Sequence, residues 1–183
     1  MPVREFLETM ASRTRDALRR EAERLLEAAG ATHEPVSLRD VVSALNLSLV
    51  EAEREPFSCE AALAPLGDGF AVSVRSNGGE RRRRFSIAHE IGHFMLHPGQ
   101  ARYERGGTVN EAMRVREREA DAFAAELLMP EHLVRQAVLE DGADAHRLAD
   151  RFEVSVAAMS LRLRRLGLAE RQSELLPPSR EAL

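Results

Sequence analysis

The sequence has no tryptophan, no lysine and a single cysteine among its 183 residues. Because every basic side chain is an arginine, we attribute the missing lysine to coding bias and draw no chemistry from it. A single cysteine, Cys59, excludes an internal disulfide and is typical of a protein in a reducing compartment. We interpret Cys59 as an ordinary loop residue, with a thiol that blocks a metal ion as the alternative. No window approaches the roughly 20 apolar residues of a membrane span, and the first residues lack an apolar export segment. We therefore expect a soluble, cytoplasmic protein without a membrane partner.

The composition is that of a globular protein, with 44% hydrophobic and 31% charged residues. A formal net charge of −4 gives no electrostatic reason to expect nucleic acid as the main partner. The length suits one sizeable core with helical additions. We expect an N-terminal helix, a main domain, a helix-turn-helix-like segment packed on that domain and a disordered tail, over residues 1–30, 31–140, 141–168 and 169–183.

Hydrophobic periodicity and capping residues predict the order of the helices and strands. Helices are predicted over 3–29, 37–46, 86–97, 112–128 and 131–140, with two short helices between 145 and 167. A hairpin is predicted over 61–76, and polar connectors over 76–84 and 98–111. The four successive arginines at 81–84 are more typical of a solvated face than of a nucleic-acid site. These elements predict an α+β fold with a small antiparallel sheet packed on helices.

One predicted helix carries the pentapeptide HEIGH at 89–93. Histidines four residues apart project from the same side of a helix, so His89 and His93 can share one zinc ion. Glu90 lies beside them and suits a general base that acts on a water molecule activated by the metal. Gly92 permits another segment to approach closely. The pentapeptide also occurs by chance, so a third ligand is needed.

The third ligand must come from elsewhere in the chain. His97 repeats the spacing, but on a continuous helix it lies about 12 Å beyond His89, so we interpret it as a structural or capping residue. Glu117 and Asp121 lie on an apolar stripe of the helix over 112–128, where unpaired carboxylates are costly. Glu117 as metal ligand and Asp121 as acceptor of a ligand histidine's ring N–H would pair both acids. A solvated edge or arginine partners are the alternative.

These segments resemble the ImmA/IrrE family of bacterial metallopeptidases. The family pattern, H-E-x-x-H followed by E-x-x-A-[ND]-x-F-A-x-x-L-L-x-P, is matched by HEIGH and by EREADAFAAELLMP at 117–130. The likeness extends over roughly residues 30–168. It implies a zincin-like metallopeptidase core with Glu90 as general base and with Asp121 hydrogen-bonded to a ligand histidine and not to the metal itself. It also implies a metal site, with zinc as the expected ion and manganese or iron as alternatives, held by His89, His93 and Glu117.

The resemblance further implies a biological role. Family members cleave a partner helix-turn-helix repressor, often encoded nearby, and thereby derepress mobile-element or stress-response genes. We therefore expect a zinc-dependent endopeptidase with a protein substrate. The stress-response members have an additional C-terminal sensor domain, for which we expect no room in 183 residues.

Two other functions stay open at this point. The segment at 145–167 has helix-turn-helix spacing and carries arginines at 162, 164 and 165, which favours a DNA-binding regulator. The acidic balance of the chain argues against direct DNA binding. An antitoxin-like binding protein with an inactive metal site is the other alternative, although each group that the chemistry requires is present.

Substrate contacts are predicted at two further residues. The strand over 70–75 is interpreted as an exposed sheet edge that binds an extended peptide, with Arg75 beside the cleft. Tyr103, in the predicted loop, is a candidate for oxyanion stabilisation, with His97 and His132 as other candidates. A covered edge and an ordinary surface tyrosine are the alternatives.

Overall fold

The computed structural model describes residues 3–52, 61–67, 69–75, 79–98 and 111–169, and their side chains from residue 15 onward except at 52, 65 and 75. Over these residues the fold is α+β, as predicted, with seven helices and three strands. The helices are α1 (Val3–Ala29), α2 (Leu38–Ala44), α3 (Glu80–Leu96), α4 (Glu111–Leu128), α5 (Glu131–Asp141), α6 (Ala145–Arg151) and α7 (Val156–Arg165). The strands are β1 (Ser48–Ala52), β2 (Ala61–Leu66) and β3 (Gly69–Arg75). No helix among the described residues is long and apolar enough to cross a membrane.

The local capping predictions are confirmed. The Ser37 hydroxyl accepts a hydrogen bond from the Asp40 backbone N–H at the start of α2. Ser155 caps α7 in the same way, 3.1 Å from the Ala158 N–H. Gly30 follows α1 with a φ of +65°, a conformation that glycine adopts without a steric penalty. Short-range chemistry therefore sets these helix ends.

The three strands form a mixed sheet in the order β1-β3-β2. The predicted hairpin is confirmed, because β2 and β3 pair antiparallel with Leu63 opposite Val72. The prediction of an entirely antiparallel sheet is wrong, because β1 pairs parallel with β3. The interpretation of 70–75 as an exposed edge is wrong as well, since β3 is the central strand, hydrogen-bonded on both sides. A central strand has no free backbone groups with which to bind a peptide.

The helix that carries the histidines begins earlier than predicted, at Glu80, so residues 81–84 belong to α3 and not to a connector. Arginine is a good helix former, and Glu80 in the first turn complements the helix dipole. Arg81 and Arg82 are exposed, as a solvated face requires, but Arg84 is largely buried and donates to the Val36 carbonyl at 2.9 Å. Burial lowers the pKa of the Arg84 guanidinium, while the charge of Glu153, 3.3 Å away, opposes that shift.

The C-terminal pair α6–α7 packs on the rest of the molecule through apolar and charged contacts. Its buried apolar side chains are Leu148, Ala149, Phe152, Val154, Met159 and Leu163. Arg162 is also buried and makes two 2.6 Å hydrogen bonds to the Glu126 carboxylate of α4. Its Nε donates to the Met129 carbonyl at 2.9 Å. This bidentate pair joins α7 to the C-terminal end of α4.

Candidate metal centre

Helix α3 presents the two histidines of HEIGH one turn apart on the same side. Their Nε2 atoms lie 3.0 Å from each other, and the ring centroids are 4.6 Å apart. The His93 side chain is buried and the His89 side chain is 16% exposed. Two imidazole nitrogens therefore point at the same small volume.

Helix α4 crosses α3 at Gly92, the glycine inside the pentapeptide. A Cβ built on Gly92 would lie 3.1 Å from both Cα and O of Ala120 and 3.4 Å from Cβ of Phe123. Backbone atoms cannot move away as a flexible side-chain end can, so only a glycine fits this crossing without a shift of the helix. The close contact brings residues on either side of Ala120 next to the histidines.

Glu117 completes the group from α4. Its Oε2 lies 3.2 Å from Nε2 of His89, and its Oε1 lies 3.3 Å from Nε2 of His93. Two neutral imidazoles and one carboxylate are a donor set typical of zinc sites that keep a coordination position open. The three residues predicted as ligands are thus brought together.

The distances among these donors fit the proposed ion. Tetrahedral ligand atoms about 2.0–2.1 Å from zinc lie about 3.3–3.4 Å from one another, by the geometry of the tetrahedron. The nearest donor atoms of the three residue pairs are 3.0, 3.2 and 3.3 Å apart, with a different Glu117 oxygen facing each histidine. Among the described residues, His89, His93 and Glu117 are the group of side chains placed to hold a metal ion. The chemistry and the spacing of these donors both suit a divalent metal.

Asp121 lies one turn beyond Glu117 and accepts a hydrogen bond from Nδ1 of His89 at 2.8 Å. This contact fixes the tautomer in which Nε2 of His89 carries the lone pair and faces the other donors. Burial lowers the pKa of His89, but the hydrogen bond and charge of Asp121, with the charges of Glu90 and Glu117, outweigh burial and raise it. Asp121 thus orients the ring of His89.

One premise of the sequence argument is wrong. The stripe predicted that both acids are buried, whereas the side chains of Glu117 and Asp121 are 50% and 58% exposed. The helical phase was correct and the depth was not: Ala120, Ala124 and Leu128 of the stripe are buried, whereas both acids lie at its exposed margin. Glu117 and Asp121 therefore differ from the other acids of α4 in that they pair with the histidines of HEIGH, and not in being buried.

Glu90 faces away from the solvent, with 4% of its surface exposed. Its Oε2 accepts a hydrogen bond from the backbone N–H of Leu63 in β2 at 3.0 Å. One turn along α3, Phe94 makes an edge-to-face contact with Phe70 of β3, with the ring centroids 6.1 Å apart. This face of α3 therefore packs against the sheet and places the Glu90 carboxylate beside β2. The sequence contained no signal for the contact with Leu63.

Comparison with known proteins bears on this arrangement. The family described as the IrrE N-terminal-like domain, Peptidase_M78, matches residues 72–164, which is half of the chain and includes HEIGH and the two acids of α4. The chain belongs to the Peptidase_M78 family. The family resemblance read from the sequence is thereby confirmed, and with it a metallopeptidase-type fold.

The Peptidase_M78 match extends from β3 to α7, so the α6–α7 pair lies inside it. One similar solved structure is a Mycobacterium tuberculosis transcriptional regulator, with 23% sequence identity and a TM-score of 0.61. The likeness covers 89% of this chain and 51% of the regulator, so the chain spans about half of that protein's length. At this identity the likeness shows the fold. No curated protein matches the chain.

Of the other candidate residues of this Peptidase_M78 chain, the structure describes the side chain of His97. His97 forms the C-terminal cap of α3, and its Nε2 contacts the Arg116 carbonyl at 3.3 Å. It is not among the three clustered donors, which agrees with its interpretation as a capping residue. The side chain of Arg75, at the end of β3, is outside the described residues, as are Cys59 and Tyr103. Their predicted roles stay predictions.

Proposed function

We propose that this chain is a zinc-dependent endopeptidase that cleaves a partner helix-turn-helix repressor and so derepresses mobile-element or stress-response genes. The observation that carries the proposal is the cluster of donor atoms from His89, His93 and Glu117, in which the nearest atoms of each residue pair are 3.0–3.3 Å apart. Glu90, next to His89 in sequence and buried against β2, supplies the remaining group that hydrolysis needs.

The roles follow from the positions of the side chains. His89, His93 and Glu117 would hold the ion, which acts as a Lewis acid and lowers the pKa of water. Glu90 would take a proton from the attacking water and deliver it to the leaving amine. Asp121, which accepts from Nδ1 of His89, leaves the Nε2 lone pair of His89 free to bind the ion. Zinc suits two imidazoles and one carboxylate best, and manganese or iron are alternatives for the same ligands.

The edge of β2, and not β3, suits the substrate backbone. Leu63 lies opposite Val72 of β3, yet its N–H donates to Glu90 and therefore points away from β3. In an antiparallel pair, such a residue presents both its N–H and its C=O on the outer side. Among the described strands, β3 is the only neighbour of β2, so this edge, apart from the Leu63 N–H that donates to Glu90, is available for an extended peptide. A peptide added there would lie next to Glu90.

A protein that regulates transcription suits both the family and the solved likeness. Peptidase_M78 is a metallopeptidase family, and the similar solved chain is named a transcriptional regulator. A repressor as substrate joins these two properties, because cleavage of a repressor changes transcription without any need for the protease to bind DNA. We take the partner to be a helix-turn-helix protein encoded near this chain.

Direct DNA binding by α6–α7 is the second candidate function, and the charges of α7 weaken it. Of its three arginines, Arg162 is turned inward and fully engaged with Glu126 and the Met129 carbonyl. Of the arginines of α7, only Arg164 and Arg165 are exposed. Two arginines release few counterions, so binding to random duplex should be weak even at low salt. Tight binding in an electrophoretic shift assay that weakens steeply with salt would favour this function.

The decisive experiment combines metal analysis with cleavage of the neighbouring repressor. Wild type should contain about one zinc per chain and cut the repressor. Glu90→Gln keeps an acceptor for the Leu63 N–H, so it should retain the ion and lose cleavage. Glu111→Gln makes the same change on an exposed residue of α4 and serves as the matched control. A wild type without stoichiometric metal, or a Glu90→Gln variant that cuts as well as wild type, would overturn the proposal.

A further inference from the structure

We propose that His97, the last histidine of FSIAHEIGHFMLH, is a positioning residue that holds the backbone of α4 where Glu117 meets the metal. The inference rests on the proposed metal site and assigns a task to a histidine that is not a ligand. Its own claim concerns the geometry of Glu117, and not the presence of the site.

The contacts of His97 identify its hydrogen-bonding role. Its Nε2 lies 3.3 Å from the Arg116 carbonyl oxygen and 3.7 Å from a carboxylate oxygen of Glu119. Both neighbours are acceptors, so Nε2 of His97 must carry a proton and donate. The side chain is only 9% exposed, and its ring centroid is 5.4 Å from that of His93. The donor is therefore held in place by its own packing.

The acceptor is the residue next to the acidic ligand. Arg116 immediately precedes Glu117, so the hydrogen bond joins the C-terminal cap of α3 to the turn of α4 that carries the carboxylate. On the other side of Glu117, the backbone of Ala120 packs so closely on Gly92 that a Cβ built on Gly92 would lie 3.1 Å from it. The ligand-bearing turn is thus held at one point before Glu117 and at one point after it.

Apolar packing does not hold this turn. Within α4, the buried residues are Ala120, Phe123, Ala124, Glu126, Leu127 and Leu128. Every described side chain from 111 to 119 is exposed or only partly buried. A helix end with few buried contacts opens more readily than its packed part. The hydrogen bond from His97 is a contact from α3 to the backbone of α4 on the N-terminal side of Glu117.

Two substitutions separate the donor from the ring. His97→Phe keeps an aromatic ring beside His93 and removes the donor, whereas His97→Gln keeps an N–H that can reach the Arg116 carbonyl. We expect His97→Phe to weaken zinc affinity about tenfold, the lower end of what loss of a group supporting a metal ligand causes. His97→Gln should recover most of that loss. Glu119→Gln should stay within about twofold of wild type, since its carboxylate is beyond hydrogen-bond distance.

The measurements are zinc affinity by competition with a chromophoric chelator, the visible spectrum of the cobalt-substituted protein and thermal unfolding with the metal removed. In His97→Phe the cobalt spectrum should change, because the spectrum reports the ligand geometry, while unfolding of the metal-free protein should change little. Should His97→Phe fail to fold, His97→Leu replaces it in the same comparison.

The outcomes distinguish this inference from the proposed function. Equal zinc affinity and an unchanged cobalt spectrum in His97→Phe would overturn the positioning role while leaving the metal site intact. Equal losses in His97→Phe and His97→Gln would also overturn it, because the donor would then not be what matters. Failure of wild type itself to bind zinc or cobalt would remove the proposed function and this inference together.

Discussion

Replacing Gly92 with alanine tests whether the close crossing of α3 and α4 builds the metal site. In an isolated helix the change stabilises by about 1 kcal/mol, because alanine is the better helix former. Here the added Cβ would meet Cα and O of Ala120 at 3.1 Å. That is roughly 0.5 Å shorter than the usual separation of carbon atoms in contact. Backbone atoms must move as a unit, so α4 is expected to shift away from α3.

The magnitudes of the two effects decide the result. Overpacking of this kind costs about 1–3 kcal/mol, which offsets the helix-propensity gain and leaves a net loss of about 0–2 kcal/mol. For a chain of this size the melting temperature is expected to fall by no more than about 8 °C. Metal sites tolerate only about 0.2 Å of change in ligand distance, so the displacement of Glu117 should lower zinc affinity about 10- to 100-fold.

Chelator competition and thermal unfolding of the metal-free protein give the two quantities. Gly79→Ala is the matched control, because Gly79 precedes α3 and a Cβ there meets no atom within 4 Å. The control should bind zinc as wild type does. A Gly92→Ala protein that gains about 1 kcal/mol of stability and keeps wild-type zinc affinity would refute the argument from the crossing.

Two further predictions concern charged pairs away from the metal. Arg162→Met should lower the free energy of unfolding, measured by chemical denaturation, by about 3–5 kcal/mol, because it leaves the Glu126 carboxylate buried without its partner. Adding Glu126→Met should restore most of that loss. A double variant that is no more stable than Arg162→Met would contradict this prediction. The hydrogen bond from Arg135 lowers the pKa of Glu131 below its ordinary 4.5; burial opposes this shift and Arg19 assists it. The ionised Glu131 carboxylate therefore stabilises the fold fully above pH 4.5, and this stabilisation is lost as the pH falls through the lowered pKa. At pH 7 the free energy of unfolding of Glu131→Gln should therefore be about 0.5–1 kcal/mol lower than that of wild type, and the two proteins should become equally stable in acid. A difference in stability that does not change with pH would contradict this role of Glu131.

Much of the fold could be predicted because its signals are local. The periodicity of α4 and α5, the serines that cap α2 and α7 and the turn between β2 and β3 all depend on a few adjacent residues. The direction of β1 could not be predicted in this way. A strand pairs with whichever neighbour the tertiary fold supplies, and β1 pairs with β3 and not with β2, the next strand in the chain. The early start of α3 was missed because its arginines find acceptors on distant segments.

The sequence by itself determined the chemistry of the candidate site. The spacing of His89 and His93 places two imidazoles on one side of α3, and the phase of α4 places Glu117 and Asp121 on one side of that helix, since helical periodicity is a local property. Only the tertiary structure decided how these two halves meet. The absence of a Cβ at Gly92 lets the helices approach, the N–H of Leu63 fixes the Glu90 carboxylate, and His97 reaches the carbonyl of Arg116. Each of these contacts joins residues far apart in the chain through backbone atoms, which every residue type has in common, so side-chain patterns do not reveal them.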